Sequence, residues 1–304
     1  MKLKYKFLVA TVLCLGLGIN NANSTLAAVE DGNQQDSTQT HEQTQTTSPN
    51  EENVQSNQSS QPQWQTINGK TYYIKNDKKL KGYRQIQGNW YVFNKNGEML
   101  TGIRKIPHTK SLGYFDQQGH RIFNNINVGK AKYWIDSKGN IIGVKHNAKV
   151  VSQRPEMPTG CEITAVTMML NYAGVNVSKF KAAKVMHYSL NPNKGFVGSP
   201  YKKWPLGYWV APDGIKSVVK HYLGIAKVMT NASMSAIKQK LIRSHLVVAW
   251  VGDFDGFSNH AITLTGYHGN TLYYNDPWTG TKRSISEKKF MYHWRKDAKR
   301  ALSY

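Results

Sequence analysis

Apolar residues recur along this chain in two rhythms, and the change falls near residue 144. Before that point, aromatic pairs alternate with polar turns at a period of roughly 20 residues. The units are "INGKTYYIKNDKKLKGYRQI", "QGNWYVFNKNGEMLTGIRKI", "TKSLGYFDQQGHRIFNNI" and "VGKAKYWIDSKGNIIGV". Each sets an aromatic pair (Tyr72-Tyr73, Trp90-Tyr91, Tyr114-Phe115, Tyr133-Trp134) ahead of a turn rich in Asn, Asp or Gly. That pattern predicts β-hairpins. One hairpin cannot bury its own apolar face, so the units are expected to stack as a small all-β domain over 67–143.

Beyond that point the spacing lengthens. "CEITAVTMMLNYAG" carries Ile163, Val166, Met169, Leu170 and Ala173 at helical intervals, with Gly174 as a C-terminal cap. "SKFKAAKVMHYS", "APDGIKSVVKHYLG" and "SMSAIKQKLIRS" predict further helices, while "HLVVAWVG", "HAITLTGYH" and "NTLYYNDP" predict strands. Helices first and strands later predict an α+β domain over 144–304. That length is ample for one core.

The N-terminal pattern is different again. Lys2, Lys4 and Lys6, the apolar run Phe7 to Gly18, and small residues at Thr25, Ala27 and Ala28 predict a signal peptide over 1–28. No later stretch is apolar enough to cross a membrane, so the expectation is an exported chain with no transmembrane segment in its mature form. Residues 29–66 are rich in Gln, Asn, Ser and Thr and predict a disordered polar linker. The net charge of +22 is uneven: Val29 to Asn68 holds six acids and neither Lys nor Arg, so the rest is strongly basic. For an exported protein, a basic body suits anionic wall polymers or membrane surfaces better than nucleic acid.

Of the two cysteines, Cys14 leaves with the predicted signal and Cys161 remains. No disulfide forms within one such chain. A lone thiol outside the cell is either a small core hydrophobe or a reactive group. Cys161 follows Gly160 and opens its predicted helix, where unpaired N–H groups and the helix dipole are expected to lower the thiol pKa. A core cysteine would more naturally sit in the middle of the apolar face. Among the ten histidines, His260 stands apart, because it begins a strand directly after the polar loop "GDFDGFSN". A Cys at a helix start facing a His on a strand is a nucleophile–base arrangement. Asp253, Asp255, Asn259 and Asp276 are the candidates to orient the imidazole. A three-residue loop pairing Tyr267 with Thr271 would set Asp276 diagonal to His260 on one face, whereas an even-length loop would turn it away.

Two resemblances follow from these motifs. The hairpin block resembles the choline- and glucan-binding repeats of Gram-positive cell-wall proteins. That resemblance implies a wall-polymer partner, with Tyr73, Trp90, Tyr91, Tyr114, Tyr133 and Trp134 as ligand candidates; the plainer reading makes these rings only the core of the stack. "QRPEMPTGCEITAVTMMLNYAG", "NPNKGFVGSPYKKWPLGYWVAP", "HAITLTGY" and "YYNDPWTG" together resemble the bacteriocin-processing, papain-like cysteine peptidases, in their freestanding exported branch. The resemblance implies helices packed on an antiparallel sheet, Cys161 as nucleophile, His260 as base, Asp276 as its orienter and Gln153 as an oxyanion donor. Gln153 lies farther upstream of the cysteine than is usual in papain-like enzymes.

The expected function is therefore a secreted, wall-associated cysteine peptidase that works through a thioester and needs no cofactor or metal. Two rivals stand beside it. One is a peptidoglycan endopeptidase or amidase using the same Cys-His site. The other is a wall-binding protein whose peptidase domain is inactive.

Overall fold

The structure, a computed structural model, describes residues 61–203 and 207–304. The expected signal peptide, and the expected linker up to Ser60, lie outside the described residues.

The repeats form short antiparallel pairs. Strands β1 (Gln63–Ile67), β2 (Lys70–Lys75) and β3 (Lys78–Lys79) make one sheet, β4 (Gly82–Ile86) pairs with β5 (Asn89–Phe93), and β6 (Gly102–Lys105) pairs with β7 (Leu112–Phe115). β1 therefore begins inside the segment expected to be linker. A recurrent side-chain device closes the turns after the aromatic pairs. Asn94 Oδ1 accepts from the N–H groups of Asn96 and Glu98, Asp116 Oδ1 from His120, and Asp136 Oδ1 from Lys138 and Asn140. Such side chains stand in for a backbone turn.

The rings of the repeats mostly face other rings. Trp90 lies flat on Tyr83 at 4.5 Å, and Tyr73 meets Trp64 edge-on at 4.9 Å. Tyr114 lies 6.0 Å from Tyr133 and Trp134 stacks on His268 at 4.4 Å. Tyr91 and Tyr133 are 5% and 2% exposed, and the Tyr133 hydroxyl donates to Ile242 O. Their place is the core, which corrects their candidacy as ligand contacts.

The last repeat joins the second domain. β8 (Ile126–Val128), β9 (Ala131–Ile135) and β10 (Ile141–His146) continue into one sheet with β11 (Lys227–Val228), β12 (Val247–Val251), β13 (His260–His268) and β16 (Ala301–Ser303), in the order β11-β16-β12-β13-β10-β9-β8. β14 (Thr271–Asp276) pairs with the other edge of β13, and β15 (Thr281–Ser286) with β14. The expected boundary at 143/144 cuts through β10.

Helices α1 (Cys161–Tyr172), α2 (Lys179–Lys184), α3 (Pro212–Leu223), α4 (Met234–Ile242) and α5 (Glu287–Lys296) complete the α+β domain. Every residue of α1 through Leu170 is buried, so the helix is enclosed on all sides. Thr263 Oγ1 donates to Ala165 O at 2.9 Å and pins β13 to α1. α3 starts with Pro212 at its first position and ends at Gly224 in the left-handed conformation, while Ser233 and Ser286 cap α4 and α5 through their side chains. α2 is shorter than its sequence suggests and stops before His187. No helix among the described residues is long and apolar enough to cross a membrane.

Close approach of β10 and β13 depends on a glycine. A Cβ added at Gly266 would sit 2.1 Å from Val144 O and 2.7 Å from Lys145 Cα, both backbone atoms that cannot swing aside. Gly266→Ala is expected to cost about 1–3 kcal/mol, as overpacking does. Urea unfolding measures it, and a loss under about 0.5 kcal/mol would contradict the close approach.

Candidate active site

Two elements deliver the thiol and the imidazole. α1 starts at Cys161 after Gly160, and β13 starts at His260 after the loop that carries Phe254 and Phe257. Both side chains line one cavity of about 280 Å³ with Gln153, Thr159, Phe257 and Trp278. Cys161 is 8% exposed and His260 2% exposed, so the pair is almost wholly withdrawn from solvent.

The orienting carboxylate is Asp276. Its Oδ1 lies 2.8 Å from His260 Nε2. An ionised carboxylate can only accept, so Nε2 carries the hydrogen and Nδ1 is left with its lone pair. The other candidates are engaged elsewhere. Asp255 pairs with Arg283, Asn259 donates to Asp297, and Asp253 accepts from the Tyr292 hydroxyl.

Of the two turn lengths the sequence left open, the even one is formed. The turn is a two-residue one, Gly269-Asn270, with His268 opposite Thr271 and Tyr267 opposite Leu272. Alone, this even-length loop would move Asp276 off the face of His260. A β-bulge at Thr265 takes up the extra residue, so Leu264 pairs with Tyr274 and Thr263 with Asn275. Continued to the strand end, this register sets His260 across from Trp278 and diagonal to Asp276.

Burial alone would push the Asp276 carboxyl up. The hydrogen bond and charge of His260, with hydrogen bonds from Thr279 Oγ1 and Trp278 N–H, instead hold it down at about 2. Arg283 approaches its other oxygen at 3.3 Å. Phe254 and Phe257 lie nearly parallel to the imidazole at 6.2 and 5.2 Å and restrict its rotation.

The thiol departs from expectation. Cys161 Sγ donates to Glu162 Oε2 at 3.2 Å, and Glu162 Oε1 accepts from Val210 N–H at 3.2 Å. Burial first, then the Glu162 charge and this hydrogen bond, push the thiol well above its ordinary value. The expected lowering at the helix N-terminus is outweighed by these effects. Burial also pushes Glu162 itself up to about 7, against hydrogen bonds that favour its charged form. Sequence reasoning misses Glu162. Its signal was a carboxylate set inside an otherwise apolar helical run, next to the one candidate nucleophile.

Gln153 reaches the same cavity, because the extra residues before Cys161 fold into a loop. Gln153 N–H donates to Pro277 O, and the buried Lys179 ammonium ties Ser152 O, Gln153 O and the Glu156 carboxylate together. The Gln153 amide nitrogen faces Met157 O at 3.3 Å and Pro158 O at 3.1 Å, while its Oε1 has no partner. Exchanging the two amide atoms would set an oxygen against two carbonyls, so the nitrogen belongs where it is. Among the described residues no group of three or more His, Cys, Asp and Glu side chains converges to hold a metal ion.

Similarity to known proteins follows the two rhythms of the sequence. Residues 145–302, more than half of the chain, match the family model described as the Peptidase_C39 like family. Residues 63–77 and 81–99 match the model of a cell wall binding repeat. YvpB, an uncharacterized protein of Bacillus subtilis, is 30% identical over 179 residues, covering 49% of this chain and 70% of that protein. A C39-like peptidase structure from Bacillus anthracis is 27% identical with a TM-score of 0.49, covering 52% of this chain and 94% of that one. Choline binding protein F from Streptococcus pneumoniae is 27% identical over 26% of each chain, with a TM-score of 0.24.

Two measurements check the electrostatics. Asp276 has a folded-state pKa below its unfolded one, so its contribution to stability is present above about pH 4 and is lost as pH falls toward 2. Asp276→Asn is expected to flatten that part of the stability curve, by about 2 kcal/mol, in urea titrations at stepped pH. Glu162→Gln removes the carboxylate that keeps the proton on sulfur. Alkylation of Cys161 by iodoacetamide at pH 7.5 is expected to speed up several-fold, and an unchanged rate would contradict the pairing.

Proposed function

The chain belongs to the Peptidase_C39 like family, and from that premise we propose that it is a wall-associated cysteine peptidase acting through Cys161 and His260. The observation that carries this reading is the shared cavity of thiol and imidazole, with the imidazole held at 2.8 Å by a buried carboxylate.

The reaction starts from the thiol. Sγ turns from Glu162 toward His260 Nδ1, which takes its proton, and Asp276 stabilises the resulting imidazolium. The thiolate attacks a peptide carbonyl, and its electron pair forms the C–S bond while the carbonyl pair moves onto oxygen. The N–H groups of the first turn of α1 face that oxyanion, and Gln153 Nε2 joins them by releasing one of its two carbonyl partners. His260 returns the proton to the leaving amine as the C–N bond breaks. Water, deprotonated by the same imidazole, then hydrolyses the thioester and restores the thiol.

The residues matching cell wall binding repeats favour a substrate at the wall. Peptide cross-links of peptidoglycan are therefore a second substrate reading with the same chemistry. Wild type and Cys161→Ala, incubated in parallel with a peptide library and with purified walls, test both. Cys161→Ala is expected to lose cleavage by about a thousandfold or more, and the arm that yields products in wild type names the substrate. Equal products from both proteins would sink the cysteine mechanism.

A further inference from the structure

A larger concavity than the Cys161 cavity lies elsewhere on the chain. It is an open groove of about 610 Å³ on the sheet, where the last hairpin of the repeats continues into the second domain. Its lining includes Lys130, Lys132, Lys145, Lys282 and Arg283, and neither Asp nor Glu.

The strand register builds this surface. Lys132 on β9 lies directly opposite Lys145 on β10, Lys145 opposite Gly266 on β13, Gly266 opposite Tyr273 on β14, and Tyr273 opposite Ser284 on β15. The next row, Tyr133, Val144, Tyr267 and Leu272, points into the core. Like charges directly opposite on neighbouring strands destabilise a sheet. Yet Lys132 and Lys145 are both exposed with no carboxylate beside them. Among the described residues none of the four lysines forms an ion pair. A polyanion laid across the strands would remove this repulsion.

Three features narrow its chemistry. Trp134 stacks on His268 and lies nearly parallel to Tyr273, while Lys132 and Lys145 sit over the Trp134 and Tyr273 rings. The ring faces are therefore taken, which leaves little surface on which nucleobases could stack. The planar fork of Arg283, suited to carboxylates, is already engaged by Asp255 and Asp276. What remains is a row of ammonium point charges, which suits phosphate oxygens. The groove is also continuous with the hairpin repeats, two of which match a cell wall binding repeat.

We propose that this groove binds a linear polyol polymer linked by phosphodiesters, laid across β9, β10, β14 and β15. The proposal rests on the sheet and its charges, and a failure here would leave the peptidase reading untouched.

Fluorescence anisotropy with the full chain and a labelled glycerol-phosphate decamer tests it. Binding is expected, with a slope of log affinity against log salt of about −3 for four engaged lysines. Lys132→Gln/Lys145→Gln is expected to weaken binding at least about tenfold and to flatten the slope by about 1.4. Thermal stability of this variant is expected to be equal or higher, because the repulsive pair is gone, so lost binding cannot be attributed to unfolding. Oligothymidylate and polyglutamate of equal charge are expected to bind more weakly. Absence of binding, or unchanged binding in the double variant, would overturn the site. Tighter binding of oligothymidylate would reassign it to nucleic acid. Tighter binding of polyglutamate would reassign it to acidic polypeptide, the acidic stretch of this chain included.

Discussion

One extra residue in a strand governs the relation of His260 to Asp276. The turn between β13 and β14 is tight, and its pairing alone would send Asp276 to the wrong face. Thr265 bulges, the register moves by one, and the carboxylate arrives 2.8 Å from the imidazole. The tautomer follows from that contact, since a carboxylate can only accept. The low pKa of Asp276 follows as well, since an oriented imidazole outweighs the cost of burying a charge. A bulge is thus the geometric condition for the base.

The nucleophile is governed by an opposing balance. Position at a helix start favours a thiolate, but near-complete burial and an adjacent carboxylate favour the thiol and push its pKa up. Glu162 and Asp276 are both buried acids, yet their pKa values move in opposite directions, to about 7 and about 2. The difference lies in their partners. Asp276 accepts from an imidazole that can carry charge and from three further donors, one of them the Arg283 guanidinium, whereas Glu162 accepts from a thiol and a backbone amide.

Where local signals agreed with tertiary structure, the sequence was legible. α1, α3 and α4 show helical spacing and end signals, β12 to β14 are apolar and β-branched, and Cys161 and His260 fall at element starts. The legibility failed for four physical reasons. A bulge leaves no compositional trace, so neither turn length alone settles from sequence which face of the strand Asp276 shares with His260. The segment from Thr281 to Tyr304 is so rich in Lys and Arg that the apolar stripe of α5, with Phe290 and Trp294 buried, is masked, and β15, α5 and β16 went unread. Tyr91 and Tyr133 carry the same aromatic signal as their half-buried neighbours Trp90 and Trp134, and only packing distinguishes the degree of burial. Glu162 was overlooked because a charged residue beside a cysteine reads as helix surface until the helix is known to be enclosed.

The continuity of β8 and β9 with β10 has a consequence for how the two halves can be separated. A chain severed at residue 144 would strip β10 of its neighbour and expose a row of unsatisfied backbone groups, an open edge that invites intermolecular pairing. The natural seam for swapping modules therefore lies ahead of Ile126, within what the repeat pattern alone would assign to the other half.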